Sequence, residues 1–167
     1  MRAEALLNEL IEQTLDAVAD IRRVAYDLRP PALDAIGLVG ALRMHASQHA
    51  GFQVSVFAPD ELPSLSAAVE VAIYRIAAEA LSNVVNHAGA STCTLRLAAN
   101  EQASTVQLDV TDDGRGISAD RDTGVGLSSM RERAAELGRS FTVAARAPKG
   151  TIVSAVLPYA ACHPLER

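Results

Sequence analysis

Apolar positions along this chain recur with two periods. From residue 66 to about residue 87, Ile73, Ile76, Ala77, Ala80, Leu81 and Val84 are spaced one, three or four residues apart, which predicts an amphipathic helix. Ser66 stands where an N-cap belongs, with Glu70 in the first turns. Residues 3–28 also read as a helix, with Leu7, Thr14, Ile21 and Leu28 seven residues apart and Leu10/Ile11, Ala17/Val18 and Val24/Ala25 between them. A stripe of that length suits a helical bundle or dimer seam better than packing within its own domain, and Pro30-Pro31 separates it from the rest of the chain. A further helix is predicted over 34–50, with Leu38, Leu42 and Ala46 on one side, and another over 127–137, ending at Gly138.

The period-2 segments are Phe52–Phe57, Thr92–Ala98, Thr105–Thr111, Ser140–Ala145 and Thr151–Leu157. A polar turn at 100–104 joins the second and third, a glycine-containing polar loop covers 112–123, and a Pro-Lys-Gly turn joins the last two. Helices do not alternate regularly with these strands, so a doubly wound parallel sheet is not expected. The pattern predicts an α+β fold: a two-layer α/β sandwich whose mixed five-stranded sheet is covered on one face by three helices, preceded by one long N-terminal helix. Residues 1–30 are expected to hold the long N-terminal helix, 31–160 the main domain and 161–167 a tail.

Composition narrows the chemistry. Hydrophobic residues make up 49% of the 167, enough for a sizeable core, but aromatics only 4%, so aliphatic side chains fill it. A net charge of −5 leaves no general basic surface and argues against nonspecific nucleic-acid binding. Cys93 and Cys162 are far apart and form no metal-type cluster, as expected of free thiols in a reducing compartment. No run approaches the roughly 20 apolar residues of a membrane span. This chain is expected to be soluble and cytoplasmic, with room for a membrane anchor in a longer parent.

The polar residues that interrupt these patterns carry the chemistry. On a straight helix Glu79, Asn83, Asn86 and His87 fall within an arc of roughly 100° beside the apolar face. A carboxylate and an amide one turn apart suit a hydrated divalent cation. Asp112 ends a strand whose alternating members are Val106, Leu108 and Val110, and Gly114 and Gly116 come after it. A carboxylate there can turn inward to accept from an exocyclic amine, which adenine and guanine both offer. Gly124-Val125-Gly126-Leu127 opens a helix, where backbone N–H groups attract phosphate. It is neither a Walker A motif nor a Rossmann fingerprint. Together these features predict a nucleoside triphosphate pocket with magnesium, under a 113–126 loop that orders on the nucleotide. His45 and His49 are four apart on a helix but lack a third metal ligand, so packed or exposed histidines are expected.

The order of these motifs resembles the ATP-binding domain shared by sensor histidine kinases, gyrase, Hsp90 and MutL. Glu79-Ala-Leu-Ser-Asn83-Val-Val-Asn86-His87 is similar to its N box, Asp112-Asp-Gly114-Arg-Gly116 to its G1 box, Gly124-Val-Gly126-Leu127 to G2, and Lys149-Gly150-Thr151 to a shortened last glycine motif. Ile21 to Leu38, with Arg29-Pro30, is similar to the second dimerisation helix and linker of NarX/DesK-type kinases, and Ser129-Met130-Arg131-Glu132-Arg133-Ala134 fits the same subfamily. The resemblance implies a histidine kinase using ATP and Mg²⁺ in two-component signalling. It assigns Asn83 to Mg²⁺ and Glu79 to the metal's hydration shell or to polarising a nucleophile. Asp112, supported by Thr151, would meet the adenine amine, with Gly114 and Gly116 on the adenine side. Gly124, Gly126 and His87 would lie near the phosphates, and Asn86 and Leu127 would complete the nucleotide site. Relatives usually carry a basic residue where Asn86 stands. None of His45, His49, His87 and His163 sits in a Glu-Leu-His-Asp-like context, so the phospho-acceptor is expected on a missing dimerisation helix. A homodimeric parent and a response regulator are implied as partners. The alternatives are a stand-alone ATP-driven switch or weak ATPase of the same fold, and a non-catalytic module acting through the 3–28 helix.

Overall fold

The computed structural model describes residues 29–49, 52–117, 125–138 and 140–160. The long helix expected over 3–28, and the residues Gly124, Cys162 and His163, lie outside them. The chain divides into two units, 1–31 and 32–167, and the sheet with its covering helices belongs to the second.

Each element has a local cause. Helix α1 spans Pro31–Ser47, and its residues Leu33, Leu38, Ala41, Leu42 and Ala46 are buried. It begins three residues before the expected start and is broken at Gly37, whose φ of 68° and ψ of 175° are not helical. Glycine alone adopts that geometry without strain. Helix α2 spans Ala67–Asn83, capped by Ser66, whose Oγ accepts the Val69 N–H at 3.4 Å. Its apolar face, Val69, Ala72, Ile73, Ile76, Ala77, Ala80 and Leu81, is buried throughout. Truncating one such Ile or Leu to Ala costs about 2–5 kcal/mol. Helix α3 spans Val125–Glu136, and Gly138 comes after it with a φ of 73°.

The strands are β1 (Gln53–Phe57), β2 (Thr92–Asn100), β3 (Thr105–Asp112), β4 (Phe141–Ala145) and β5 (Thr151–Pro158), in the sheet order β1-β2-β3-β5-β4. β1 pairs parallel with β2 and every other pair is antiparallel, so the sheet is mixed. Its covered face presents Cys93, Leu95, Leu97, Val106, Leu108, Val110, Val153, Ala155 and Leu157 to one core shared with the three helices. The opposite face carries a polar cluster: Asp109 accepts from Ser154 Oγ at 2.6 Å and from Gln107 Nε2 at 2.9 Å. The fold is the expected two-layer α+β sandwich. Asp112 is the fourth member of the inward row on β3, which brings a carboxylate under the helical layer. No helix among the described residues is long and apolar enough to cross a membrane.

Candidate functional site

Glu79 and Asn83 lie one turn apart in the last turns of α2, both half-buried. Beyond them the helix widens. Val84–Ala88 form a π-helical turn that ends at Gly89, whose φ of 59° and ψ of 33° are left-handed. The Val84 N–H still donates within the α-helical pattern, to Ala80 O and Leu81 O. A wider turn takes a smaller angular step, so an arc counted at roughly 100° per residue does not extend past Asn83. The Asn86 amide stands over Ser82, donating from Nδ2 to Ser82 Oγ at 3.2 Å. Glu79 and Asn83 thus keep the predicted relation, while the exposed Asn86 and His87 sit on a turn of different pitch. Such turns recur at functional sites.

Asp112 is 3% exposed. Its Oδ1 accepts the Gly114 N–H at 2.7 Å, and no described residue donates to its Oδ2. Its register partner on β2 is Cys93. Burial, reinforced by the neighbouring Asp112 charge, pushes the Cys93 thiol up to about 12. On its other side β3 pairs with β5 through Thr111 and Ile152, and one further step in that register sets Thr151 opposite Asp112.

Backbone segments meet around Asp112 where side chains would otherwise stand. A Cβ at Gly114 would fall 2.8 Å from both Asp112 Oδ1 and the Ala88 Cβ, and one at Gly116 3.1 Å from the Gly150 carbonyl oxygen. A Cβ at Gly150, whose φ is 110°, would overlap the Asp112 carbonyl oxygen. At the start of α3, a Cβ on Gly126 would overlap Glu79 Oε1. The strand-end aspartate, the loop glycines and the hairpin glycine therefore form one junction, and the α2 carboxylate meets the α3 N-terminus. Leu127 packs, partly buried, against the core.

Three residues of this junction carried no assignment from the sequence. Asp113 accepts the Ser91 and Thr92 N–H groups on Oδ1 at 2.8 and 2.9 Å. Those amides hold its carboxyl below the usual range, and Lys149 adds to the effect. Ala88 O accepts the Arg115 N–H at 2.9 Å. Cys93 enters through register alone. The doubled aspartate of the loop was the signal for the first; backbone carbonyls and register partners leave none.

His45 and His49 are packed residues, as expected. Their rings lie 5.2 Å apart, edge to face, and His45 also meets Tyr74 at 5.8 Å. Burial, then the neighbouring His49, lowers the His45 pKa. Among the described residues no group of three or more His, Cys, Asp or Glu is placed to hold a metal. The pair Glu79 and Asn83 suits a cation that arrives with phosphate and water as its remaining ligands.

A sequence model of the "Histidine kinase-, DNA gyrase B-, and HSP90-like ATPase" family matches residues 68–161, which hold every element of this site. The chain is 33% identical over 165 residues to the sensor histidine kinase MctS of Rhizobium johnstonii, covering 94% of this chain and 35% of that protein. It is 35% identical over 157 residues to the histidine-protein kinase/phosphatase UhpB of Salmonella typhimurium, covering 90% of this chain and 30% of the relative. The chain thus spans about a third of these relatives. Among solved structures, the histidine kinase domain of the blue-light activated kinase of Erythrobacter litoralis EL346 superposes with a TM-score of 0.63 at 26% identity, covering 73% of this chain and 65% of that one.

Proposed function

The chain belongs to the histidine kinase-, DNA gyrase B- and HSP90-like ATPase family, as an ATP-binding catalytic domain of the sensor histidine kinase type, and from that membership we propose a division of labour among its site residues. Asp112 reads the adenine amine through Oδ2, while the Gly114 N–H holds Oδ1 in place. Thr151, opposite it in register, supports the same edge. Asn83 ligates the Mg²⁺ that accompanies the triphosphate, and Glu79 orders the metal's water. The N–H groups at the start of α3, Gly126 among them, meet the phosphates with the favourable end of a helix dipole. Gly124, Asn86 and His87 complete the phosphate side, and Gly116 and Leu127 the walls. The observation that carries the reading is the buried Asp112, with one oxygen committed to Gly114 and three chain segments packed around it through glycines.

Such a site activates by placement and charge neutralisation, since phosphoryl transfer asks little covalent chemistry of the protein. The Mg²⁺ supplies positive charge on the phosphate oxygens. The acceptor must come in line with the γ-phosphate. Among the described histidines, His45 packs against His49 and Tyr74, and His87 lies exposed on the π turn. We assign the acceptor imidazole to another segment, a dimerisation helix of a homodimeric kinase, from which a response regulator takes the phosphoryl group. Incubation of the 167-residue chain with γ-labelled ATP should give no acid-labile phosphoprotein. Adding a polypeptide that carries a dimerisation helix with its histidine should give one. Stoichiometric phosphohistidine on the chain alone would contradict this assignment.

A further inference from the structure

Asp112 meets the proposed nucleotide, and its neighbour Asp113 has no part in that contact. The Asp113 carboxylate bonds back across the chain to the segment leading into β2. Its Oδ1 accepts from Ser91 N at 2.8 Å and Thr92 N at 2.9 Å, and its own N–H donates to Thr92 O at 3.3 Å. Two residues on, the Arg115 N–H donates to Ala88 O, the last carbonyl of the π turn, at 2.9 Å. Four hydrogen bonds thus tie 113–115 to 88–92. One partner segment is the direct continuation of the helix that carries Glu79 and Asn83. The other is the loop that carries Gly114 and Gly116. The joint leaves no room for slack, because a Cβ on Gly114 would already meet Ala88.

We infer that Asp113 is a positioning residue that holds the metal-and-phosphate end of the nucleotide site at a set distance from its adenine end. The inference rests on the ATP reading. One carboxylate oxygen takes two adjacent backbone N–H groups that β1 does not use: Gln53 N donates to Ser91 O, and the amides of Ser91 and Thr92 both turn to Asp113. Removing the carboxylate leaves two donors to water and lets the 88–92 segment rotate away from the loop. A nucleotide that must touch Asp112 and Asn83 at once then orders the joint as it binds, and affinity falls by that cost. An amide at position 113 keeps the acceptor oxygen and loses only the charge.

The test uses the intact chain, ATP with Mg²⁺ as the probe, amide hydrogen exchange and calorimetry. Asp113→Ala should speed exchange at Ser91 and Thr92 and weaken ATP binding about tenfold, the loss expected for one to two hydrogen bonds. Asp113→Asn should restore both to within about twofold, at an unfolding midpoint like that of the parent. Unchanged ATP affinity in Asp113→Ala, or an Asn variant as weak as the Ala variant, would overturn the inference. Absence of ATP binding by the parent chain would overturn the nucleotide reading and this inference with it, and shows already in the first titration.

Discussion

Glu79 Oε1 occupies the space that a side chain on Gly126 would fill. The contact joins the C-terminal half of α2 to the first turn of α3, and it makes a specific demand on Gly126. Glycine inside a helix is ordinarily a liability of about 1 kcal/mol relative to alanine. Here Gly126→Ala should leave the unfolding midpoint unchanged or slightly raised, because the carboxylate end of Glu79 can swing aside. Nucleotide affinity in the presence of Mg²⁺ should fall, since the displaced carboxylate no longer faces the site. Parallel thermal unfolding and ATP titration check this. A variant less stable than the parent with affinity intact would show that the contact serves only packing.

Two glycines with left-handed backbones should differ sharply in what alanine does to them. Gly138 has a φ of 73° and nothing near the position of a Cβ, whereas Gly150 has a φ of 110° and the Asp112 carbonyl there. Gly138→Ala should cost about 1–2 kcal/mol, the strain of a left-handed alanine. Gly150→Ala should cost more, and should also weaken ATP binding by shifting Asp112. Urea unfolding of the two variants gives the comparison directly.

Cys93 should behave as an inert thiol with a measurable linkage. Its pKa is raised to about 12 by burial and by Asp112, from an ordinary value of 9.0. In a Cys162→Ser background, a disulfide reagent at pH 8 should modify the folded protein no faster than it unfolds. As pH rises through the ordinary thiol range, the unfolded chain gives up this proton and the folded chain keeps it. Stability from this group is therefore complete below pH 9 and is lost progressively toward pH 12. Cys93→Ala should flatten that part of the decline in unfolding midpoint.

Asn83→Ala should weaken ATP binding more in the presence of Mg²⁺ than in EDTA. The amide lies one turn beyond Glu79 on a helix whose apolar face remains intact, so the fold should be unaffected. Equal losses under both conditions would assign Asn83 a role in shape rather than in metal binding.

Much of this was legible in the chain because it depends on short-range rules. Ser66 caps α2, Leu38, Leu42 and Ala46 are buried, and the alternation Val106, Leu108, Val110 places Asp112 in phase with the core. The π turn was not legible, because periodicity assumes one angular step per residue and Val84 to Ala88 depart from it. The break at Gly37 was hidden by the apolar pattern that continues across it through Ile36 and Leu38. Asp113 was visible only as part of a motif. Its partners are backbone amides 21 and 22 residues away, and amides carry no residue-type signal. Cys93 meets Asp112 by strand register, which neither residue announces.

Calorimetric titration tests most directly the proposal that Asp112 selects adenine within a magnesium-dependent nucleotide site. The parent chain should bind ATP with Mg²⁺ and prefer it over GTP. Asp112→Ala removes a charge-assisted acceptor, at a cost of about 1.5–3 kcal/mol. That corresponds to about 10- to 150-fold weaker ATP binding, with the preference over GTP largely lost. ATP affinity unchanged in a folded Asp112→Ala protein would contradict the account.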